Sequence, residues 1–199
     1  MKHLHVFTLA VIMLISTVLP AVCASIKLPE TGQTRCYDEI GTIIDCAGTG
    51  QDGEIKAGVA WPTPRFKSNG DQTITDNLTG LVWTQDANAP GPESCVSQKY
   101  MTWQEALDYA ACLNRINYLG FSDWRIPNRK EMASLSNMGE TDNAAWLRSN
   151  GFINVDQNIY WTSTNSSQRT SYGWVCSAGH ISTPSKSSVY NSWPVRGGK

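Results

Sequence analysis

The sequence predicts an α+β domain whose sheet is antiparallel. Three observations predict this class: an early β-hairpin pattern, two helix-start signals in the middle of the chain, and several short strand patterns in the last forty residues. No internal repeat, heptad run or interdomain linker interrupts that order. We therefore expect one main domain, preceded by a short extension.

The N-terminus predicts an exported protein. A short basic start precedes an apolar stretch, 6–19, which is shorter than a membrane span needs. Small residues follow, so we expect a signal peptide over 1–24 with cleavage after Ala24. Cys23 leaves lipidation as an alternative. The mature chain is expected in the periplasm, at the cell surface or in the medium, with no membrane span after cleavage.

Residues 25–66 predict a disulfide-clipped N-terminal extension. Exported domains use most of their cysteines in disulfides. Cys36 and Cys46 flank a hairpin-like segment and form the first expected pair, and Cys95 and Cys112 form the second. Cys176 is left over, as a free thiol or as half of an intermolecular bridge.

The first elements of the main domain are a hairpin and a helix. Strands over 73–75 and 81–83 are joined by a turn that contains Gly80. Thr102 with Glu105 three residues later is a capping box, which predicts a helix from this point to about Asn117.

A second helix is predicted by Asn128 and Glu131, which repeat the capping-box spacing, and Gly139 predicts its end. Just before it, Arg125 is expected to pair with Glu131 or Asp123.

The remaining elements are a long loop and several strands. The loop covers 140–158 and holds a short helix around 144–147, and the strand patterns fall at 159–163, 173–177, 180–183 and 192–196. Trp83, Trp103, Trp161 and Trp174 are expected in the core.

The C-terminal forty residues predict a ligand-binding surface. They combine Tyr and Trp with many Ser, Thr, Asn and Gly residues, and binding loops with this composition gain rigid contact area and adaptable hydrogen bonding. A set of polar surface hairpins without a ligand is the alternative. The candidate ligand-binding residues are Arg169, Tyr172, His180, Tyr190, Asn191 and Trp193.

The composition argues against an enzyme and against nucleic acid as a partner. Only His180 remains after signal cleavage, so a histidine-rich zinc site is excluded, and we expect no catalytic residue, metal or cofactor. Calcium stays an alternative through oxygen ligands near Asp52 or Asp86. With 16 basic and 17 acidic residues, the chain offers no general attraction for nucleic acid.

Five motifs together resemble the DUF1566 family, the C-terminal domain of Legionella collagen-like protein. They are TDNLTGLVW, TWQEA, DWRIPNRKEM, YWTST and PVRGG, at 75–83, 102–106, 123–132, 160–164 and 194–198. The resemblance implies a C-type-lectin-like domain over 67–199, with a twisted antiparallel sheet and two helices.

That resemblance also implies a function. It implies an adhesion or ligand-recognition module for a cell-surface glycan or protein, and it allows that residues 165–192 are diversified by a retroelement. The alternatives are an enzyme of the formylglycine-generating type, for which Cys176 would have to serve as the reactive cysteine, or a structural envelope component.

Overall fold

The structure, a computed structural model, describes residues 28–96, 98–157, 159–177 and 180–198. The predicted signal peptide, 1–24, lies outside the described residues. Within them the chain forms helices and three antiparallel sheets, which confirms the α+β class but divides the expected single sheet. No helix among the described residues is long and apolar enough to cross a membrane.

The N-terminal extension is a small clipped unit. Strands β1 (Cys36–Tyr37) and β2 (Ile43–Ile44) pair antiparallel, and helix α1 (Asp52–Ile55) follows. The Cys36–Cys46 disulfide closes this hairpin, as predicted.

The second sheet has four strands in the order β3–β4–β5–β9. Their bounds are β3 Phe66–Ser68, β4 Thr73–Asp76, β5 Val82–Thr84 and β9 Val195–Arg196. The predicted hairpin is confirmed as β4–β5, with Ile74 opposite Trp83. Val195 lies on the other side of Trp83, so the C-terminal segment completes this sheet.

Helix α2 (Trp103–Arg115) begins at the predicted capping box, since the side chains of Thr102 and Glu105 each bond the other residue's backbone N–H. A 3-10 turn at Tyr118–Gly120 follows. The predicted Cys95–Cys112 disulfide ties α2 to the preceding loop.

Helix α3 (Arg129–Ser134) starts at its predicted capping box but stops short of Gly139. The reason is a buried amide: Asn143 donates to the carbonyl of Leu135 and accepts from the N–H of Asn137, which turns the chain out of the helix. Helix α4 (Asn143–Ser149) then corresponds to the predicted short helix.

The third sheet separates two hydrophobic clusters. Its strands are β6 (Tyr160–Asn165), β7 (Gly173–Ser177) and β8 (His180–Ser182), in that order. Tyr160 and Cys176 pack with α3 in one cluster, whereas Trp161 and Val175 pack with α2 in the other. Alternate residues of a strand point to opposite faces, so both faces are covered.

The expectation that Asn191 and Trp193 lie on the surface is wrong. Each is only 1% exposed, because the chain before β9 runs between the second and third sheets. The Trp193 indole packs edge-on against Trp83 and Phe152 at centroid distances of 5.4 and 5.2 Å, and it donates to the carbonyl of Thr84.

Candidate functional site

The other predicted ligand residues do not form one site. Arg169 and Tyr172 precede β7, whereas His180 follows it at the opposite end. A five-residue strand spans about 17 Å. His180 therefore lies at one end of the third sheet, and Arg169 and Tyr172 lie at the other.

The end of the third sheet that carries Arg169 and Tyr172 is formed by residues 166–172 and 183–190, here called the loop face. Tyr172 forms an antiparallel bridge with Ser185, and the N–H of Lys186 donates to the carbonyl of Ser171. Lys186 in turn accepts from the backbone of Trp103 at the start of α2. Backbone hydrogen bonds thus join both segments of the loop face to each other and to the domain.

Cationic side chains lie over aromatic rings on and beside the loop face. The Arg169 guanidinium carbon is 5.5 Å from the Tyr172 ring centroid, and the Lys186 ammonium is 4.1 Å from the Trp103 ring. Such contacts are electrostatically favourable and restrain long side chains. The cations are consequently held in place at the surface.

Trp103 and Trp174 are half-buried rather than core residues. Trp174 lies under the Arg129 guanidinium, whose carbon is 4.5 Å from the ring, and Trp103 donates its indole N–H to the carbonyl of Thr162. Of the four tryptophans expected in the core, Trp83 and Trp161 are fully buried.

Tyr190 lies at the edge of the hydrophobic core, against Trp161. Its ring packs edge-on against the buried Trp161 at 5.1 Å, and its backbone pairs with Met101. It is half-buried, so only part of its side chain faces solvent.

A separate cleft of about 270 Å³ opens between α3, α4 and the start of β6. Its floor is apolar and includes Leu135, Leu147 and Trp193, whereas its rim carries Glu140, Asp142 and Asp156. The cleft has no signature in the sequence, because its rim comes from connecting loops that have no periodicity or motif.

The rim carboxylates have defined positions. Asp142 caps α4 by accepting from the N–H of Ala145 at 2.8 Å, and that hydrogen bond lowers the pKa of Asp142. Asp156 lies 3.6 Å from the Lys99 ammonium. Glu140 is exposed.

Nucleophilic chemistry is disfavoured at Cys176. This free cysteine is buried, and burial raises the pKa of its thiol although the nearby Arg129 acts in the opposite direction. A reactive cysteine needs an accessible thiolate, which this environment opposes. Among the described residues, no group of three or more His, Cys, Asp or Glu side chains is placed to hold a metal ion.

Comparison with known proteins identifies one family. The model of the Lcl C-terminal domain matches residues 72–196, from the β3–β4 turn to β9. No curated protein matches this chain.

Proposed function

This chain belongs to the Lcl C-terminal domain family, and from that premise we propose that it is an exported, non-enzymatic ligand-binding module with a C-type-lectin-like fold. Its two disulfides support export, since such bonds persist in oxidising compartments. Sequencing the N-terminus of the mature protein checks this part, and a chain beginning at Ser25 is the expected result.

The observation that carries the proposal is the preordered loop face. Arg169 and Lys186 stack on aromatic rings, and the two segments that carry them are joined by backbone hydrogen bonds. A surface ordered before binding loses less conformational entropy when a ligand arrives. The loop face therefore has the physical property that a binding surface requires.

The ligand class follows from the side chains exposed there. Ser167, Ser171 and Ser187 are exposed on the loop face, and Tyr172 on the same face is half-buried. Hydroxyl groups suit adaptable hydrogen bonding, and an aromatic ring adds flat apolar contact area. These groups fit a cell-surface glycan or a protein surface with exposed polar groups.

The test compares two double variants of the mature protein. Arg169→Ala with Tyr172→Ala removes one cation–aromatic pair from the loop face, and Arg115→Ala with Tyr37→Ala removes the same residue types elsewhere. Binding is measured on a glycan array and on whole cells, with and without enzymatic removal of surface glycans. Calcium or a chelator is included in parallel.

We expect the loop-face variant to lose at least about tenfold in affinity, because truncation of aromatic and arginine hot-spot residues typically has this effect. The control variant should bind like the parent. Loss of binding after glycan removal identifies a glycan, and retained binding identifies a protein. If the loop-face variant folds normally and binds every ligand unchanged, the proposed surface is wrong.

A further inference from the structure

The cleft between α3, α4 and the start of β6 is separate from the loop face. We propose that it binds an organic ammonium group carried on a short apolar chain. The proposal goes beyond recognition of a cell-surface ligand, since a cleft of about 270 Å³ takes a small group rather than an extended surface.

The floor of the cleft suits an apolar chain. Met132, Leu135 and Leu147 come from α3, the residue after it and α4, and Trp193 lies beneath them. Met138 on the rim is 50% exposed, and flexible methionine side chains adapt to irregular apolar ligands. A short aliphatic chain entering here leaves water for an apolar surface.

The charge of the cleft selects the head group. Every charged side chain among the lining residues is acidic: Glu140, Asp142 and Asp156. Two cations lie nearby without lining the cleft. Lys99 pairs with Asp156, and Arg148 donates to the carbonyl of Val155 at 2.7 Å. A carboxylate ligand would meet like charge at the rim, whereas an ammonium group gains charge-assisted hydrogen bonds.

The rim is held in place before any ligand arrives. Asn143, which itself lines the cleft, bonds the backbone of Asn137 and Leu135. The N–H of Met138 donates to the carbonyl of Thr31 in the N-terminal extension at 2.9 Å. The extension therefore braces the loop that carries Glu140. A prebuilt rim reduces the entropic cost of binding.

The first experiment compares head groups on one apolar chain. Pentylammonium, 1-pentanol and pentanoate are titrated into the mature protein, and binding is followed by calorimetry at low ionic strength. We expect saturable binding of pentylammonium alone, weakened by added salt. Shortening the chain should weaken binding by about fourfold per methylene group. Pentanol binding as tightly as pentylammonium, or the absence of saturable ammonium binding, overturns the proposal.

A lysine derivative distinguishes the two sources of such a group. If N-acetyl-lysine methylamide binds as well as pentylammonium, the cleft accepts a lysine side chain of a protein. If it does not bind while pentylammonium does, the cleft takes a free amine. Both outcomes support an ammonium site.

The second experiment removes the rim charge without removing the cap of α4. Glu140→Gln, Asp142→Asn and Asp156→Asn are combined, and Asn at position 142 preserves capping because it is itself a preferred N-cap residue. We expect pentylammonium to bind about tenfold more weakly. The melting temperature should stay close to that of the parent, because the cap is kept and the Lys99–Asp156 pair is partly exposed.

The matched control neutralises three exposed carboxylates that do not line the cleft: Glu39→Gln, Asp45→Asn and Glu93→Gln. It should bind pentylammonium like the parent, as should the Arg169→Ala, Tyr172→Ala loop-face variant. Equal affinity of the rim variant and this control overturns the proposal. The loop-face variant tests only the proposed function, and the rim variant tests only the cleft. Either proposal can therefore be refuted without affecting the other.

Discussion

The guanidinium group of Arg65 contacts the carboxylate of Asp76 through two hydrogen bonds of 3.3 Å, with both side chains buried. The same guanidinium lies over the Trp61 ring at 4.2 Å and donates to the carbonyl of Ser134 at the end of α3. Asp76 lies within the family match, whereas Arg65 and Trp61 precede it. The residues before the match thus contribute a charge to the interior of the domain.

Arg65→Ala should destabilise the protein by about 3–5 kcal/mol, because it leaves the Asp76 carboxylate buried without its partner. Urea unfolding of the mature protein measures the change. Lys67→Ala, an exposed cation two residues later, is the control and should change the free energy of unfolding by less than about 0.5 kcal/mol. Equal effects of the two variants would show that the buried pair has no special role.

Cys95→Ser with Cys112→Ser should lower stability by about 3 kcal/mol, because this disulfide closes a loop with a sequence separation of 17. The Cys36–Cys46 pair has a separation of 10. It should contribute slightly less, since the entropy lost by the unfolded chain grows with loop length. Unfolding of the two serine double variants gives the comparison, and a larger effect at the shorter loop would contradict the entropic argument.

Alkaline pH should destabilise the fold through its buried tyrosines. Burial raises the pKa of Tyr160 from 10.0 to about 12, and it raises the pKa of Tyr109 as well. The unfolded tyrosines lose their protons first, so the free energy of unfolding is fully retained below pH 10 and falls as the pH rises towards about 12.

Unfolding midpoints between about pH 8 and about pH 11 measure this slope. Tyr160→Phe should make the decrease of stability with pH shallower. Tyr100→Phe, at a 40% exposed position, should leave that slope unchanged. An identical slope in the Tyr160→Phe variant would remove Tyr160 from the explanation.

Low pH should destabilise the fold by protonating a carboxylate that caps a helix. The backbone N–H and hydroxyl of Thr102 donate to Glu105 and lower the pKa of its carboxyl group below 4.5. Because the folded-state pKa is depressed, this stabilisation is fully present above pH 4.5 and is lost as the pH falls through the lowered value.

Thermal unfolding by circular dichroism from about pH 6 to about pH 3 follows that loss. Glu105→Gln, which retains a capping-box residue, should make the melting temperature less dependent on pH. Glu93→Gln, an exposed change outside any helix, serves as the control and should show the parent's dependence. A parent-like profile for Glu105→Gln would exclude the cap as a source.

Structural features that depend on a few neighbouring residues were predictable from the sequence. Thr102 with Glu105 and Asn128 with Glu131 fixed both helix starts, because a capping box involves one turn of backbone. The β4–β5 hairpin and the Cys36–Cys46 clip are similarly local. The Arg125–Glu131 pair also forms as one of the two predicted alternatives, at 2.6 Å, while Asp123 pairs with Arg196.

Features that depend on distant residues were not predictable in this way. Trp193 ends a run of small polar residues, a pattern that predicts a surface position. Its indole N–H instead donates to the carbonyl of Thr84, 109 residues earlier in the chain. The early end of α3 depends on the Asn143 amide, and the acidic cleft depends on where separate loops meet. Neither arrangement has a pattern in the linear chain.

The pairing of β9 with β5 bears on the order of events during synthesis. The four-stranded sheet cannot close until Val195 has left the ribosome and reached Trp83. Until then the hairpin edge stays open, and the pocket around Trp83 lacks its Trp193 neighbour. A growing chain therefore cannot complete this part of its core until the C-terminal segment has been synthesised.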